Sequence, residues 1–202
     1  RTGQHRHLPV QDDLLARKTK GCEAAFRYKI AFDLTGVLPE GGQITVPIQM
    51  ADLVGCLTMK GIVLGERYRE KDAYDIYALV ANYQKGPRDV ASALRPHLSV
   101  PLVKEAVSRI HAAFATRETN GPAWVATFLQ ANSQAEKDRL ITDAFMTVHE
   151  LDVLLFNPGA DAGPRRDTAD IQPSADLFQQ KWDSFSPDTR LVIAALVDEG
   201  SV

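Results

Sequence analysis

The sequence predicts a mainly α-helical fold with a small antiparallel β element, in which a helical bundle follows a β-hairpin. A turn sequence at 38–42 separates two short runs of alternating or β-branched apolar residues, which is typical of a hairpin. Pro87, Pro101 and Pro122 each open a stretch with helical spacing, and residues 135–156 carry a broad apolar face. These observations place the hairpin first and the helices after it.

Composition limits the classes of protein that the chain can belong to. It has 202 residues, a net charge of −3 and ordinary apolar and charged fractions, which predicts one domain, or one domain with a small appendage. Cys22 and Cys56 have no CxxC or histidine spacing, so we expect neither a disulfide framework nor a zinc site. No run reaches the length of a membrane span and no signal-peptide layout is present, which favours a cytoplasmic setting. Because the chain begins at Arg1, we expect it to be a piece of something longer.

The N-terminal region, residues 1–25, is interpreted as a basic arm followed by a first helix. Residues 1–9 are polar and His-rich without apolar periodicity, and we expect a solvated arm rather than a metal site at His5 and His7. Residues 11–25 carry helix-compatible apolar positions, interrupted at Gly21. The local excess of positive charge is a candidate RNA-binding footprint. It comprises Arg1, Arg6, Arg17, Lys18, Lys20, Arg27 and Lys29 against Asp12, Asp13 and Glu23.

The predicted hairpin opens the main domain, residues 26–156. Residues 26–34 alternate apolar and polar side chains with a period of two, and residues 43–48 supply a second β-branched run. Because two strands alone are marginally stable in water, we expect the hairpin to pair with a further sheet or to lie across the helices.

Helices are expected from Pro87 to near His97, from Pro101, from Pro122 and over residues 135–156. The expected core residues are Ile110, Phe114, Trp124, Phe128 and Leu129. Residues 157–173 are rich in Pro, Gly and Asp and are interpreted as a linker. Residues 174–202 are interpreted as a tail of two short helices.

The stretch from 51 to 83 places ionisable residues where core residues are expected: Lys60, Arg67, Lys71, Asp72 and Asp75. On one continuous helix, Lys60, Arg67 and Lys71 would form a stripe with Asp75 near the same face. If the helix instead breaks after residue 67, Asp72 would be an N-cap and Asp75 would take the N3 position. In both geometries, positive and negative side chains lie together along one side of a possible cleft.

Gly61 and Gly65 lie four residues apart inside the same stretch. Each costs an isolated helix roughly 1 kcal/mol relative to Ala. Their spacing predicts that another backbone or a ligand passes close to this face, and simple helix–helix packing is the favoured interpretation.

The spacing of these charges resembles a known signature. A Lys is followed seven residues later by an Arg, then by a basic residue next to an Asp, and finally by an Asp that precedes an aliphatic residue. This pattern is similar to the second signature of AbiEii-type nucleotidyltransferases, which are the toxin components of type IV toxin–antitoxin systems. The matching residues are Lys60, Arg67, Lys71-Asp72 and Asp75-Ile76, flanked by Leu38-Pro39, Gly41-Gly42 and the GPAWVA sequence at 121–126. The resemblance spans residues 24–148.

The resemblance implies transfer of a nucleotide from a Mg²⁺–NTP to an acceptor such as tRNA or protein. Lys60 would contact the triphosphate, Arg67 or Lys71 would add a second contact, Asp75 would be the catalytic base, and Asp72 would support them. It also implies an antitoxin protein as a partner, with tRNA or other RNA bound through the basic N-terminal segment. The chain shows neither a membrane nor a DNA signal.

The chain departs from the family pattern upstream of this signature. The expected Gly-Ser followed by Asp-x-Asp is missing, since no Asp-x-Asp occurs in the sequence. Asp12-Asp13 and the acidic run at 149–152 replace it in composition only, so we predict no metal ligands. An inactive module that contacts an antitoxin, a partner subunit or RNA is therefore an alternative.

A purely structural helical domain is the second alternative. In that domain an ion-pair network would brace two helices, with Lys60 or Lys71 pairing with Asp75 and Arg67 pairing with Asp72.

Overall fold

The computed structural model describes residues 7–11, 14–17, 20–66 and 70–157. Most of the predicted arm, the linker beyond Asn157, the tail at 174–202 and Arg67 lie outside the described residues. Within them a β-hairpin precedes a series of helices, which confirms the predicted fold class. No helix among the described residues combines the length and the apolar character needed to cross a membrane.

The N-terminal segment differs from the sequence prediction. Strand β1 (His7–Gln11) pairs antiparallel with β2 (Leu14–Arg17), where an arm and then a helix were expected. Helix α1 is confined to Glu23–Arg27 and follows Gly21, whose φ of +92° interrupts helical geometry. The expected first helix is therefore wrong, because strand pairing outweighs the weak helical propensity of this run.

The predicted hairpin is confirmed and longer than expected. Strand β3 (Lys29–Val37) pairs antiparallel with β4 (Gln43–Ala51), and Gly41 N–H donates to the Leu38 carbonyl within the turn, at 2.9 Å. Phe26 belongs to α1 instead of the strand and is 79% exposed.

One face of this hairpin carries apolar residues throughout. The register places apolar residues opposite each other along both strands, because directly paired residues share a face. We call this the apolar hairpin face, and it comprises Ile30, Phe32, Leu34, Gly36, Ile44, Val46, Ile48 and Met50. Among the described residues no third strand joins the hairpin, so the predicted further sheet is not found there. Ile44 and Val46 are exposed, and the residues nearer the helices are half-buried.

The helices begin close to where the sequence predicts them. They are α2 (Leu53–Glu66), α3 (Glu70–Asn82), α4 (Pro87–Leu94) with a 3-10 turn at Arg95–His97, α5 (Pro101–Ala113), α6 (Asn120–Phe128) and α7 (Gln134–Phe156). Pro87 and Pro101 occupy the first helical turn, where a missing backbone N–H costs nothing. The Ser133 hydroxyl caps α7 by accepting from Glu136 N–H at 3.2 Å.

Helix α2 packs on α5 through its glycines. A Cβ on Gly61 would lie 2.6 Å from the Ala106 carbonyl oxygen, and one on Gly65 would lie 2.5 Å from the Arg109 side chain. The packing interpretation of this glycine pair is therefore confirmed. Ile110, Phe114 and Leu129 are buried as predicted, whereas Trp124 and Phe128 are half-buried at the edge of the core.

Candidate functional site

The charged stretch folds as two helices, not one. Lys60 on α2 (Leu53–Glu66) contacts Asp75 on α3 (Glu70–Asn82) at 2.5 Å, which one continuous helix does not allow for residues 15 positions apart, so the continuous-helix geometry is wrong and the alternative of a break is correct. The stripe expected from offsets along one helix therefore does not form. Residues on α2 instead meet residues on α3 across the helix–helix contact.

Four of the five predicted site residues come together at this contact. Lys60 Nζ donates to Asp75 Oδ2 at 2.5 Å and to Asp72 Oδ1 at 3.1 Å. Lys71 Nζ lies 2.9 Å from Asp75 Oδ2 and 3.2 Å from Asp75 Oδ1. We call Lys60, Lys71, Asp72 and Asp75 the ion-pair cluster. Its two positive and two negative charges balance.

The cluster runs from the protein interior to solvent. The side chain of Asp72 is 3% exposed and that of Asp75 is 14% exposed, whereas those of Lys60 and Lys71 are 31% and 45% exposed. Burial alone would lower the pKa of Lys60, but the charges and hydrogen bonds of Asp75 and Asp72 outweigh it and raise that pKa. Lys60 is therefore a fixed cation at neutral pH.

Asp72 does not have the position that the sequence suggested for a broken helix. It is the third residue of α3, within the first turn, so it is not the N-cap, and Asp75 accordingly lies beyond N3. Its buried carboxylate instead accepts from Lys60 on α2. Since an unpaired buried carboxylate is costly, this contact ties the two helices together. The interpretation of Asp72 as a supporting residue agrees with this geometry, and the expected pairing with Arg67 lies outside the described residues.

Two residues next to the cluster were not identified from the sequence. Cys56 lies one turn before Lys60 on α2, and burial, followed by the charge of Asp52, raises the pKa of its thiol to about 11. Burial, followed by the charge of Asp75, raises the pKa of Tyr74 to about 12. Both groups therefore stay neutral at physiological pH, and the ion-pair cluster carries the charge of the site.

A tyrosine on the next turn of α3 connects the site to α7. The Tyr77 hydroxyl donates to Asp143 Oδ2, and burial together with the Asp143 charge raises the pKa of Tyr77. Tyr74 stacks on Phe128 of α6, with ring centroids 4.7 Å apart. Helix α3 is thus held on the side away from α2, which fixes the position of Asp75. Two tyrosines flanking Asp75 were the available sequence signal for this support.

A second polar contact joins α5 to α7. His111 Nδ1 lies 2.8 Å from Asp152 Oδ2, and burial raises the pKa of Asp152 despite that hydrogen bond. Asp152 belongs to the acidic run at 149–152, which replaces the missing Asp-x-Asp in composition only and was not expected to bind a metal. Among the described residues, no group of three or more His, Cys, Asp or Glu side chains could hold a metal ion. Asp12-Asp13 and His5 lie outside those residues.

Comparison with known proteins does not show which family the chain belongs to. No protein-family model matches the chain, and neither the curated proteins nor the solved structures contain a match to it. The chemistry of the site therefore has to be argued from its own geometry: two ammonium groups that reach solvent and one carboxylate shared between them. Such a set can bind a polyanion and accept a proton.

Proposed function

We propose that the chain belongs to a nucleotidyltransferase that transfers a nucleotide from an NTP to an acceptor such as tRNA or protein, as a toxin component. One observation carries the proposal. Lys60, Lys71, Asp72 and Asp75, which match the signature, meet at one site although they lie on two helices. The side chains of Lys60 and Lys71 are partly exposed to solvent, at 31% and 45%. The two thiols, Cys22 and Cys56, favour a reducing, cytoplasmic setting.

The reaction assigns a separate task to each group. Lys60 and Lys71 bind the triphosphate and offset its charge, which lets the acceptor oxygen approach. Asp75 accepts the acceptor hydroxyl proton as that oxygen attacks the α-phosphorus, and the bond to the β-phosphate breaks to release pyrophosphate. Asp72 holds Lys60 in place. Among the described residues no group of three or more His, Cys, Asp or Glu side chains could hold a metal ion, and the resemblance implies that the NTP is bound with Mg²⁺.

The test measures transfer of label from each α-labelled NTP onto total tRNA and onto protein, with Mg²⁺ present. Asp75→Asn keeps the shape of the side chain and removes its charge, so it should abolish transfer. Glu118→Gln removes an exposed carboxylate on the loop before α6 and serves as the matched control. Transfer that survives in Asp75→Asn, or is absent from the parent chain, would contradict the proposal.

A second candidate function is an inactive module that binds an antitoxin or a partner subunit. The apolar hairpin face favours it, because Ile44 and Val46 are 41% and 39% exposed. In that case a candidate antitoxin should bind the parent chain without nucleotide turnover, and Val46→Lys should weaken the complex. The salt dependence of binding would identify an RNA partner instead.

A structural brace is the remaining alternative. Lys60→Ala and Asp75→Ala should then lower the melting temperature to a similar extent and leave NTP binding unmeasurable in the parent and in both variants.

A further inference from the structure

This inference rests on the proposed function and concerns how the site is kept inactive. In the structure, Asp75 Oδ2 accepts hydrogen bonds from both Lys60 and Lys71, and Oδ1 accepts from Lys71. A general base needs a lone pair directed at the proton that it takes. Both oxygens are bonded to ammonium groups and the side chain is 14% exposed, so Asp75 is masked from an acceptor hydroxyl by these contacts and by burial together.

The two lysines that mask Asp75 are held unequally. Lys60 bonds a second carboxylate, Asp72, whose side chain is 3% exposed, so moving Lys60 would deprive a buried charge of a partner. Lys71 lies one turn before Asp75 on the same helix and its side chain is 45% exposed. Exposed i,i+4 ion pairs of this kind are weak compared with a contact to a buried charge. The Lys71 contact is therefore the one that a ligand can replace.

A triphosphate is the ligand with the chemistry to replace it. It carries several negative charges and many acceptor oxygens, and ammonium–phosphate hydrogen bonds are among the strong ones. The cluster is neutral in sum, so turning Lys71 to the phosphates leaves a net charge of −1 on Lys60, Asp72 and Asp75, and the Lys71–phosphate contacts have to outweigh the lost contact to Asp75.

We propose that Lys71 is a substrate-released latch: it covers Asp75 in the free protein and moves to the phosphates when NTP binds, which exposes the base. Lys60 stays bonded to Asp75 and Asp72 and positions both. The base is then available only in the presence of the nucleotide.

The experiment follows the side chains by NMR in the full chain labelled with [¹⁵N]-lysine and [¹³C]-aspartate. Resonances are assigned with Lys60→Arg, Lys71→Arg and Asp75→Asn, and the probe is ATP. We expect the Lys71 ammonium and Asp75 carboxyl signals to shift together. In Lys71→Met, the Asp75 signal should sit near its ATP-bound position before ATP is added. Lys85→Met, which alters an exposed lysine beyond α3, should behave as the parent.

The outcomes separate the latch from the function on which it rests. A shift of Lys60 without a shift of Lys71 would overturn the latch and leave NTP binding intact. No shift of any lysine signal would overturn both.

A kinetic readout gives a second test. Lys71→Met should raise KM about twofold, the equivalent of one exposed i,i+4 ion pair. An unchanged KM in Lys71→Met would contradict the latch.

Discussion

The unequal burial of the two lysines in the ion-pair cluster predicts unequal contributions to stability. Lys60→Met removes charge-assisted hydrogen bonds to carboxylates that are 3% and 14% exposed. Removing one partner of a fully buried pair costs about 3–5 kcal/mol. Because Lys60 itself is 31% exposed, we expect a smaller loss in the free energy of unfolding, of about 2–3 kcal/mol. Lys71→Met should cost about 0.3–0.5 kcal/mol, as expected for an exposed i,i+4 pair.

Urea unfolding followed by far-UV circular dichroism measures both losses. The denaturant slope should stay constant, so that a shift in midpoint reports stability alone. Lys85→Met is the matched control and should change the free energy by less than about 0.5 kcal/mol. Equal losses for the two lysines would refute the idea that Lys60 is the anchored one. A loss below about 1 kcal/mol for Lys60→Met would refute the assigned cost of leaving Asp72 without this partner.

Other predictions follow from packing and titration. Gly61→Ala should lower the free energy of unfolding by about 1–3 kcal/mol, because the new methyl group meets the backbone carbonyl of Ala106. Gly65→Ala should leave it nearly unchanged, because the Arg109 side chain can move and the higher helix propensity of Ala contributes about 1 kcal/mol. Urea unfolding compares the two variants. The thiol of Cys56, with a pKa of about 11, should be alkylated slowly at pH 8 and increasingly fast up to pH 11, as peptide mass spectrometry can follow. The pKa of Asp152 is raised in the folded state, so its ionisation should lower the free energy of unfolding as pH rises above the ordinary aspartate range. Asp152→Asn can still accept a hydrogen bond from His111 and should remove this pH dependence. Unfolding measured between about pH 3 and 7 tests it.

The helical part of the fold could be predicted because proline and apolar periodicity act locally. Pro87 and Pro101 mark helix starts through their own backbone constraints, and residues 135–156 bury a face that is visible in the sequence. The first helix could not be predicted correctly, because strands β1 and β2 are stabilised by pairing with each other and not by local propensity.

The members of the site could be predicted, but not their geometry. The sequence indicated that Lys60 and Asp75 could pair, but it did not decide between one continuous helix and two helices joined by a break. The burial of Asp72 could not be predicted, because an aspartate is ordinarily exposed unless a partner elsewhere in the chain accompanies it. The hydrogen bond from the Tyr77 hydroxyl to Asp143 on α7 could not be predicted, because the two residues lie 66 positions apart in the chain.

The hairpin has a practical consequence for handling the protein. Its outer strand edges have no partner among the described residues, and its apolar side chains at Ile44 and Val46 reach solvent. An open edge beside an apolar surface is a template on which a second molecule can add a strand, and natural proteins commonly block such edges with lysine or proline. Pro47, in the middle of β4, lacks a backbone N–H and so removes one hydrogen-bond donor from that strand. Concentration-dependent self-association should therefore begin at this hairpin, and Ile44→Lys should suppress it when sedimentation is measured at rising protein concentration.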